Sequence, residues 1–173
     1  MIGKLLALDV GLARIGVAVC DPLQLAVRPV MVLERTSRRA DFAQLAELVR
    51  TEEAVAVLCG LPLHMDDSES SQSQTVRKWA MRLAQALRTL LGQPVPILFW
   101  DERLSTFAAQ EILAASHSSQ YHSSPPTTSK TQAPMAEDAV AAAVILQSYL
   151  DAQRQGDPRD FGRIELPVKG DRG

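Results

Sequence analysis

The stretch LALDVGLARIGVAV, residues 6–19, constrains the fold more than any other part of this chain. Apolar, strand-forming residues occupy positions 5–10 and 14–20, with a short turn at 11–13 between them. Because so short a link cannot cross over a sheet, the two strands must be antiparallel neighbours. The first strand contains Asp9. An ionised carboxylate inside a sheet is costly unless it is paired, hydrogen-bonded or bound to a metal, so Asp9 lies at a strand end or has a partner.

Beyond this hairpin, strand-like and helix-like segments alternate along the chain. Residues 26–33 form a predicted third strand, and Pro29 within it indicates an edge position because proline cannot donate a ladder hydrogen bond. Apolar spacing predicts a helix after an N-cap at Ser37. Further strands are predicted over residues 54–59 and 95–100, and further helices over residues 75–91, 104–115 and 135–152. This order predicts an α/β fold with a mixed five-stranded sheet, antiparallel in its first three strands, and helices on both faces.

The length and the polar segments indicate the domain organisation. A chain of 173 residues suits one domain, which we predict to span residues 1–153. Within it, residues 116–134 are mostly Ser, Thr, His, Gln and Pro, with Lys130 as the one charged residue. That composition predicts a mobile loop. Residues 154–173 are polar and contain glycine and proline, so we expect a flexible tail.

The net charge limits how this chain could bind nucleic acid, and the cysteines indicate the cellular compartment. The formal net charge is −2, so a nucleic acid would have to be bound by a local basic patch rather than by bulk positive charge. No apolar run reaches the length of a membrane span, and the N-terminus lacks a signal-peptide pattern. Cys20 and Cys59 each end an apolar run, as core thiols do in a reducing compartment. We therefore expect a cytoplasmic protein with no membrane partner.

Several acidic residues lie where the topology can bring them together. Asp9 lies in the first strand, Asp101 and Glu102 follow the strand over residues 95–100, and Asp138 lies in the predicted first turn of the last helix. In open α/β sheets, ligands collect beyond the carboxyl ends of parallel strands, where three of these carboxylates could meet. Carboxylates in a small volume repel one another unless a cation neutralises them, and oxygen-only sites favour Mg²⁺ or Mn²⁺ over zinc. Paired divalent ions held in this way clamp the attacking and leaving oxygens of a phosphodiester.

Each acid also has a purely structural explanation. Asp9 could accept hydrogen bonds from backbone amides of the turn that follows it. Asp138 and its neighbour Glu137 could lie at a helix N-terminus, where the helix dipole stabilises negative charge. Asp101 could cap the third helix. The occurrence of three acids on this topology, rather than any one of them, favours a functional site.

Five ordered segments resemble the successive motifs of the YqgF/RuvX family. They are LALDVGLARIGVAVCDPL, CGLPLHMD, VRKWAMRLA, FWDERLST and EDAVAAAVILQSYLD. Residues 116–134 depart from the family pattern, because a longer, nearly uncharged segment stands where the family has a short Lys/Arg-rich one. The resemblance implies a ribonuclease H-like fold, a catalytic and metal-binding set of Asp9, Glu102 and Asp138, and Mg²⁺ or Mn²⁺ as the cofactor. A metal ion would then be the partner that Asp9 needs within its strand.

Other residues are candidates for contacts with nucleic acid. Arg14 follows the turn after Asp9 and could contact a phosphate, with a salt bridge to Asp21 as the alternative. Gly60 follows another strand and would line the same cleft. A basic cluster on the second helix consists of Arg77, Lys78 and Arg82. Arginines also cluster at Arg35, Arg38 and Arg39, and the loop holds His117 and His122, which could assist proton transfer or product release. A solvated surface without further function is the alternative for these clusters and histidines.

The resemblance implies a divalent-metal-dependent endonuclease that acts on structured RNA or branched DNA. Members of the family are described as Holliday junction resolvases and as nucleases that mature the small-subunit ribosomal RNA. The implied partners are therefore nucleic acid and the precursor of the small ribosomal subunit. A non-catalytic RNA-binding assembly factor is one alternative. A phosphotransferase of actin-like fold is another, disfavoured because the chain is too short for the two domains that such enzymes need. A monomer and a homodimer are both compatible with the sequence.

Overall fold

Strands and helices alternate as the sequence predicts. The computed structural model describes residues 2–104, 133–168 and 170. Its strands are β1 Lys4–Val10, β2 Arg14–Cys20, β3 Val27–Glu34, β4 Ala54–Leu61, β5 Ile97–Asp101 and β6 Arg163–Ile164. Its helices are α1 Arg38–Thr51, α2 Ser71–Leu91 and α3 Ala133–Arg154, and a 3-10 turn covers Glu102–Leu104. The predicted loop over residues 116–134 and the predicted third helix over 104–115 lie almost entirely outside the described residues.

All of the strands belong to one mixed sheet in the order β3-β2-β1-β4-β5-β6. β1 pairs antiparallel with β2 and parallel with β4, β2 pairs antiparallel with β3, and β4 pairs parallel with β5. The predicted hairpin and mixed sheet are thereby confirmed. The strand order places β3 at one edge of the sheet, which confirms the edge position predicted from Pro29. Pro29 also lies beside a register shift between Val17 and Ala18. The predicted count of five strands is wrong, because β6 adds a sixth.

The sixth strand comes from the segment that we expected to be a flexible tail. Ile164 of β6 pairs with Ile97 of β5 and is buried. Phe161 packs edge-on against Trp100, with ring centroids 5.3 Å apart. The prediction of a flexible tail is therefore wrong for this part of the chain. Two apolar side chains within a polar segment are sufficient to anchor it to the edge of the sheet.

The helix boundaries differ from the predicted ones in two places that matter for function. α2 begins at Ser71 rather than at residue 75, because the hydroxyl of Ser70 accepts a hydrogen bond from the Ser73 amide and caps it. α3 begins at Ala133, so Asp138 lies in its second turn. The explanation of Asp138 as an acid at a helix N-terminus is therefore wrong. The predicted N-cap of α1 at Ser37 is confirmed by its hydrogen bond from the Ala40 amide.

The two faces of the sheet pack against different helices. Alternate residues of β1 point to opposite faces, and Leu6 and Leu8 belong to a core shared with α1 and α2. Leu5 and Ala7 belong to a second core shared with α3. Cys20 and Cys59 are buried in different cores, so both thiols are structural. Within the described ranges, no helix is long and apolar enough to cross a membrane.

Candidate active site

Asp9 lies near the carboxyl end of β1, on the face of the sheet that α3 covers. Side chains alternate along a strand, so Asp9 shares this face with Leu5 and Ala7. Its partner across the hairpin is Gly16. A Cβ atom at Gly16 would lie 1.8 Å from the carbonyl oxygen of Asp138, so only glycine lets α3 approach β2 so closely. This contact brings the backbone of Asp138 next to Asp9.

Glu102 reaches the same place from the 3-10 turn after β5. Its side chain lies over Gly60 of β4, where a Cβ atom would come within 2.9 Å of Glu102 Oε1. The carboxyl groups of Glu102 and Asp9 are joined by a hydrogen bond. Gly60 therefore makes room for Glu102, which is a more direct role than lining a cleft.

The hydrogen bond between Glu102 and Asp9 requires that one of the two carboxyl groups carry a proton. Burial, followed by the negative charge of Asp9, raises the pKa of Glu102 to about 7. Burial also raises the pKa of Asp9, and the charge of Asp138 adds to this effect. Glu102 is thus the member that keeps its proton to a higher pH and, while protonated, donates it to the Asp9 carboxylate.

Asp138 completes the cluster and is paired with Arg14. Arg14 Nε lies 3.0 Å from Asp138 Oδ2, so the predicted alternative for Arg14, a salt bridge to Asp21, is wrong. Asp21 instead accepts hydrogen bonds from the backbone amides of Leu25 and Ala26. Although Asp138 Oδ2 is buried and close to Arg14, it has no partner with hydrogen-bond geometry in the described part of the chain. An ion pair without a hydrogen bond leaves this oxygen incompletely satisfied.

Asp101 lies outside this cluster. Along β5, Leu98 and Trp100 face α3, so Asp101 points to the opposite side of the sheet. Its Oδ1 accepts a hydrogen bond from the Arg103 amide at 2.9 Å and another from Arg103 Nε at 3.0 Å. Arg103 also contacts Asp67 and the carbonyl oxygen of His64. Sequence reasoning missed Arg103, for which the only signal was an acid two residues earlier.

The structure does not bring the basic cluster on α2 to the carboxylates. α2 covers the face of the sheet opposite to Asp9. The guanidinium of Arg77 lies 4.7 Å from the Phe99 ring centroid and pairs with Glu69, while Lys78 and Arg82 are exposed. A contact between these residues and nucleic acid stays a prediction.

In the described residues, no three His, Cys, Asp or Glu side chains form a ready-made set of metal ligands. In this arrangement Glu102 is hydrogen-bonded to Asp9, and Asp138 is paired with Arg14. All the available donors are carboxylate oxygens, which suit hard cations. The assignment of these three acids as metal ligands therefore stays a prediction.

Comparison with known proteins agrees with the architecture. The model of a family described as "RuvX: Holliday junction resolvase" matches residues 3–152. A Myxococcus xanthus protein named "Putative pre-16S rRNA nuclease" is 39% identical over 154 residues, which are 89% of this chain and 91% of that protein. A Synechococcus elongatus protein of the same name is 38% identical over 160 residues, 92% of this chain and 95% of that protein.

A solved structure shares the fold. Thermus thermophilus RuvC, in complex with a Holliday junction substrate, has a TM-score of 0.57 and 14% identity, covering 95% of this chain and 99% of the RuvC chain. This likeness confirms the ribonuclease H-like fold that the sequence resemblance implied.

Proposed function

The chain belongs to the RuvX family and is an endonuclease, and we propose that Asp9, Glu102 and Asp138 form its catalytic site. The observation that carries this proposal is the convergence of the three acids on one face of the sheet. Asp9 lies near the carboxyl end of β1 and Glu102 directly follows β5, two strands that each pair in parallel with β4 between them, and Asp138 comes from the helix that covers them. Because carboxylates gathered in this way repel one another, such groupings are retained mainly where chemistry requires them.

The donor chemistry of the acids suits a divalent cation, although no three of them stand in ready-made ligand positions among the described residues. Asp138 Oδ2 is a buried oxygen that lacks a hydrogen-bond partner among the described residues, and Asp9 and Glu102 add further carboxylate oxygens beside it. Hard cations prefer such ligands. We therefore assign these three residues as the group that would hold Mg²⁺ or Mn²⁺, which when bound would supply Lewis-acid stabilisation of the phosphate and a more acidic water.

The protein's own groups prepare the site for a phosphodiester. Glu102 holds a proton against Asp9, and loss of that proton gives the cluster its full negative charge. The Arg14 side chain is 42% exposed, so its guanidinium can exchange Asp138 for a phosphate oxygen without being uncovered first. Arg14 would then orient the phosphate next to Asp9.

We propose the precursor of 16S ribosomal RNA as the substrate. Relatives that match nearly the whole chain are named as nucleases of this RNA, which supports its cleavage as the reaction, and we propose maturation of its 5′ end as the outcome. A four-way DNA junction is the second candidate, because the description of the matching family model names Holliday junction resolution.

The replacement Asp9→Asn tests the proposed site. It keeps the size of the side chain and removes the charge, so cleavage of a pre-16S RNA fragment in Mg²⁺ should fall by orders of magnitude. The melting temperature without metal should stay equal or rise, because burial disfavours the charged form of Asp9. Mg²⁺ should no longer raise the melting temperature.

The matched control is Glu137→Gln, an acid-to-amide change at an exposed residue of α3. This control should cleave RNA as the wild type does. A folded Asp9→Asn variant with undiminished cleavage would refute the proposed site, and an unfolded one would support a structural role for Asp9. Running a four-way DNA junction in parallel identifies which nucleic acid is cleaved.

A further inference from the structure

Glu102 lies on a short piece of backbone that is a weak support by itself. It opens the 3-10 turn Glu102–Leu104, which directly follows β5. The hydrogen-bond geometry of a 3-10 turn is poorer than that of an α-helix. A group that acts on a reacting phosphate must nevertheless be held closely, because a misplacement of about 1 Å lowers activity roughly a hundredfold. The position of Glu102 therefore depends on residues that hold this turn from outside.

Ser148 of α3 holds the turn through its hydroxyl group. The hydroxyl donates a hydrogen bond to the carbonyl oxygen of Leu104 at 2.6 Å and accepts one from the indole Nε1 of Trp100 at 3.1 Å. Glu102 lies midway between Trp100 and Leu104 in the chain. One hydroxyl, which can donate once and accept twice, thus fixes the backbone on both sides of Glu102.

The direction of these bonds distinguishes Ser148 from an ordinary serine in a helix. A serine within a helix commonly donates its hydroxyl to the carbonyl oxygen one turn earlier in the same helix. Ser148 is buried, and both of its side-chain hydrogen bonds instead leave α3 for β5 and the 3-10 turn. Alanine at this position would leave the Trp100 N–H and the Leu104 carbonyl without this partner, which is costly for buried groups.

The helix that Ser148 fixes also carries Asp138. Asp138 lies roughly 15 Å nearer the start of α3, where its backbone packs on Gly16 of β2. α3 is therefore attached to the sheet at two places, to β2 at Gly16 and to the end of β5 at Ser148. Two attachments fix both the position and the direction of a rigid helix. They consequently set the distance between Glu102 and Asp138.

Arg103 holds the 3-10 turn on its other side, toward the loop that follows β4. Besides its bonds to Asp101, Arg103 Nη2 donates to Asp67 Oδ1 at 2.6 Å. These bonds join the turn to a loop rather than to α3, so they do not set the position of Asp138. The bonds of Ser148 are the ones that connect the elements carrying two of the acids.

We propose that Ser148 is a positioning residue of the nuclease, whose hydroxyl holds Glu102 in register with Asp138. The inference rests on the proposed function, because it takes these two acids, with Asp9, as the catalytic site. Ser148 acts through the backbone of the 3-10 turn rather than on the substrate. Its loss should therefore impair the chemical step and metal binding, and leave the binding of nucleic acid intact.

The test replaces Ser148 by alanine and measures cleavage, metal binding and nucleic-acid binding separately. The substrate is the one that the wild type cleaves, a pre-16S RNA fragment or a four-way DNA junction. Ser148→Ala should lower kcat by roughly ten- to a hundredfold and leave KM within about twofold. Mg²⁺ should raise its melting temperature less than that of the wild type, and its Kd for the substrate in EDTA should be unchanged. A folded Ser148→Ala protein with wild-type kcat and a wild-type Mg²⁺ response overturns the proposal.

The matched control is Leu150→Ala, which truncates another buried side chain of α3 and removes no side-chain hydrogen bond. This control should lower the melting temperature at least as much as Ser148→Ala does, because it leaves a cavity in the core. It should nevertheless keep the wild-type kcat and Mg²⁺ response. Equal losses of kcat in the two variants would show that only the packing of α3 matters, which would refute the positioning role.

A double variant tests whether Ser148 acts through Glu102. Glu102→Gln leaves two of the three carboxylates, so part of the Mg²⁺-induced rise in melting temperature remains to be measured. Adding Ser148→Ala to Glu102→Gln should reduce this rise no further, because the group that Ser148 positions is already gone. A further reduction as large as in the wild type contradicts the inference. If Asp9→Asn abolishes cleavage and Ser148→Ala does not lower it, the catalytic site stands and only the positioning role fails.

Discussion

Replacing Glu102 by glutamine should make the protein more stable at alkaline pH and leave its stability almost unchanged at acidic pH. Glutamine keeps the shape and can still donate a hydrogen bond to Asp9, but it carries no charge at any pH. In the wild type, burial and the charge of Asp9 raise the pKa of Glu102 from 4.5 to about 7. The folded protein therefore binds this proton more tightly than the unfolded chain does.

The direction of the pH dependence follows from this difference. The stabilisation due to the bound proton is fully present below pH 4.5 and is lost as the pH rises through 7. The pKa change corresponds to about 3.4 kcal/mol at most. Because Glu102 keeps part of its exposure to solvent, screening reduces this to roughly 1–2 kcal/mol. At pH 8.5 the glutamine variant should melt about 2–8 °C higher than the wild type.

The assay is thermal unfolding in EDTA at pH 4.5 and pH 8.5, followed by circular dichroism. Glu137→Gln, at an exposed position on the helix that carries Asp138, serves as the matched control and should show no comparable gain at either pH. Adding Mg²⁺ at pH 8.5 should stabilise the wild type more than the Glu102→Gln variant. Equal shifts at both pH values, or a loss of stability at pH 8.5, would refute the idea that Glu102 and Asp9 share a proton.

Other substitutions test how the elements around the site are packed. Gly16→Ala should destabilise the protein by about 3 kcal/mol in urea unfolding, because the added methyl meets the Asp138 backbone and the helix must shift to admit it. In Gly60→Ala the added methyl meets the flexible end of the Glu102 side chain, so we expect a folded protein with reduced cleavage. Similar losses of stability for Gly16→Ala and Gly60→Ala would contradict this difference. Deleting residues 157–173 removes the β6 pairing and should cost about 2 kcal/mol in the same assay, whereas no change would mean that the tail is not anchored.

The spacing of apolar residues and the length of the first turn were sufficient to predict the central part of the fold. The hairpin around Gly11 followed from the short link, and the edge position of β3 followed from Pro29. Both inferences depend on local backbone chemistry, which the sequence expresses directly. The unfavourable position of Asp9 in an apolar strand likewise indicated that it has partners, and in the structure it lies beside Glu102 and Asp138.

The remaining features depend on contacts between distant parts of the chain. The partner of Arg14 could not be chosen from the sequence, because Asp21 is nearby in sequence whereas Asp138 is nearby only after α3 packs on β2. The anchoring of the tail was missed because the polar composition around Phe161 concealed the few residues that pack. In both cases a tertiary contact overrides the local signal.

Two glycines explain why the site forms around Asp9. Gly16 is paired with Asp9 on one side, and Gly60 lies beside it on the other, since Leu8 is the β1 partner of Cys59. Each glycine admits one companion, the α3 backbone at Asp138 above Gly16 and the side chain of Glu102 above Gly60. A larger residue at either position would keep one acid away from Asp9. In this chain, the half-buried Asp9 with a glycine at the facing position of each neighbouring strand is therefore the local arrangement around which the other two acids converge.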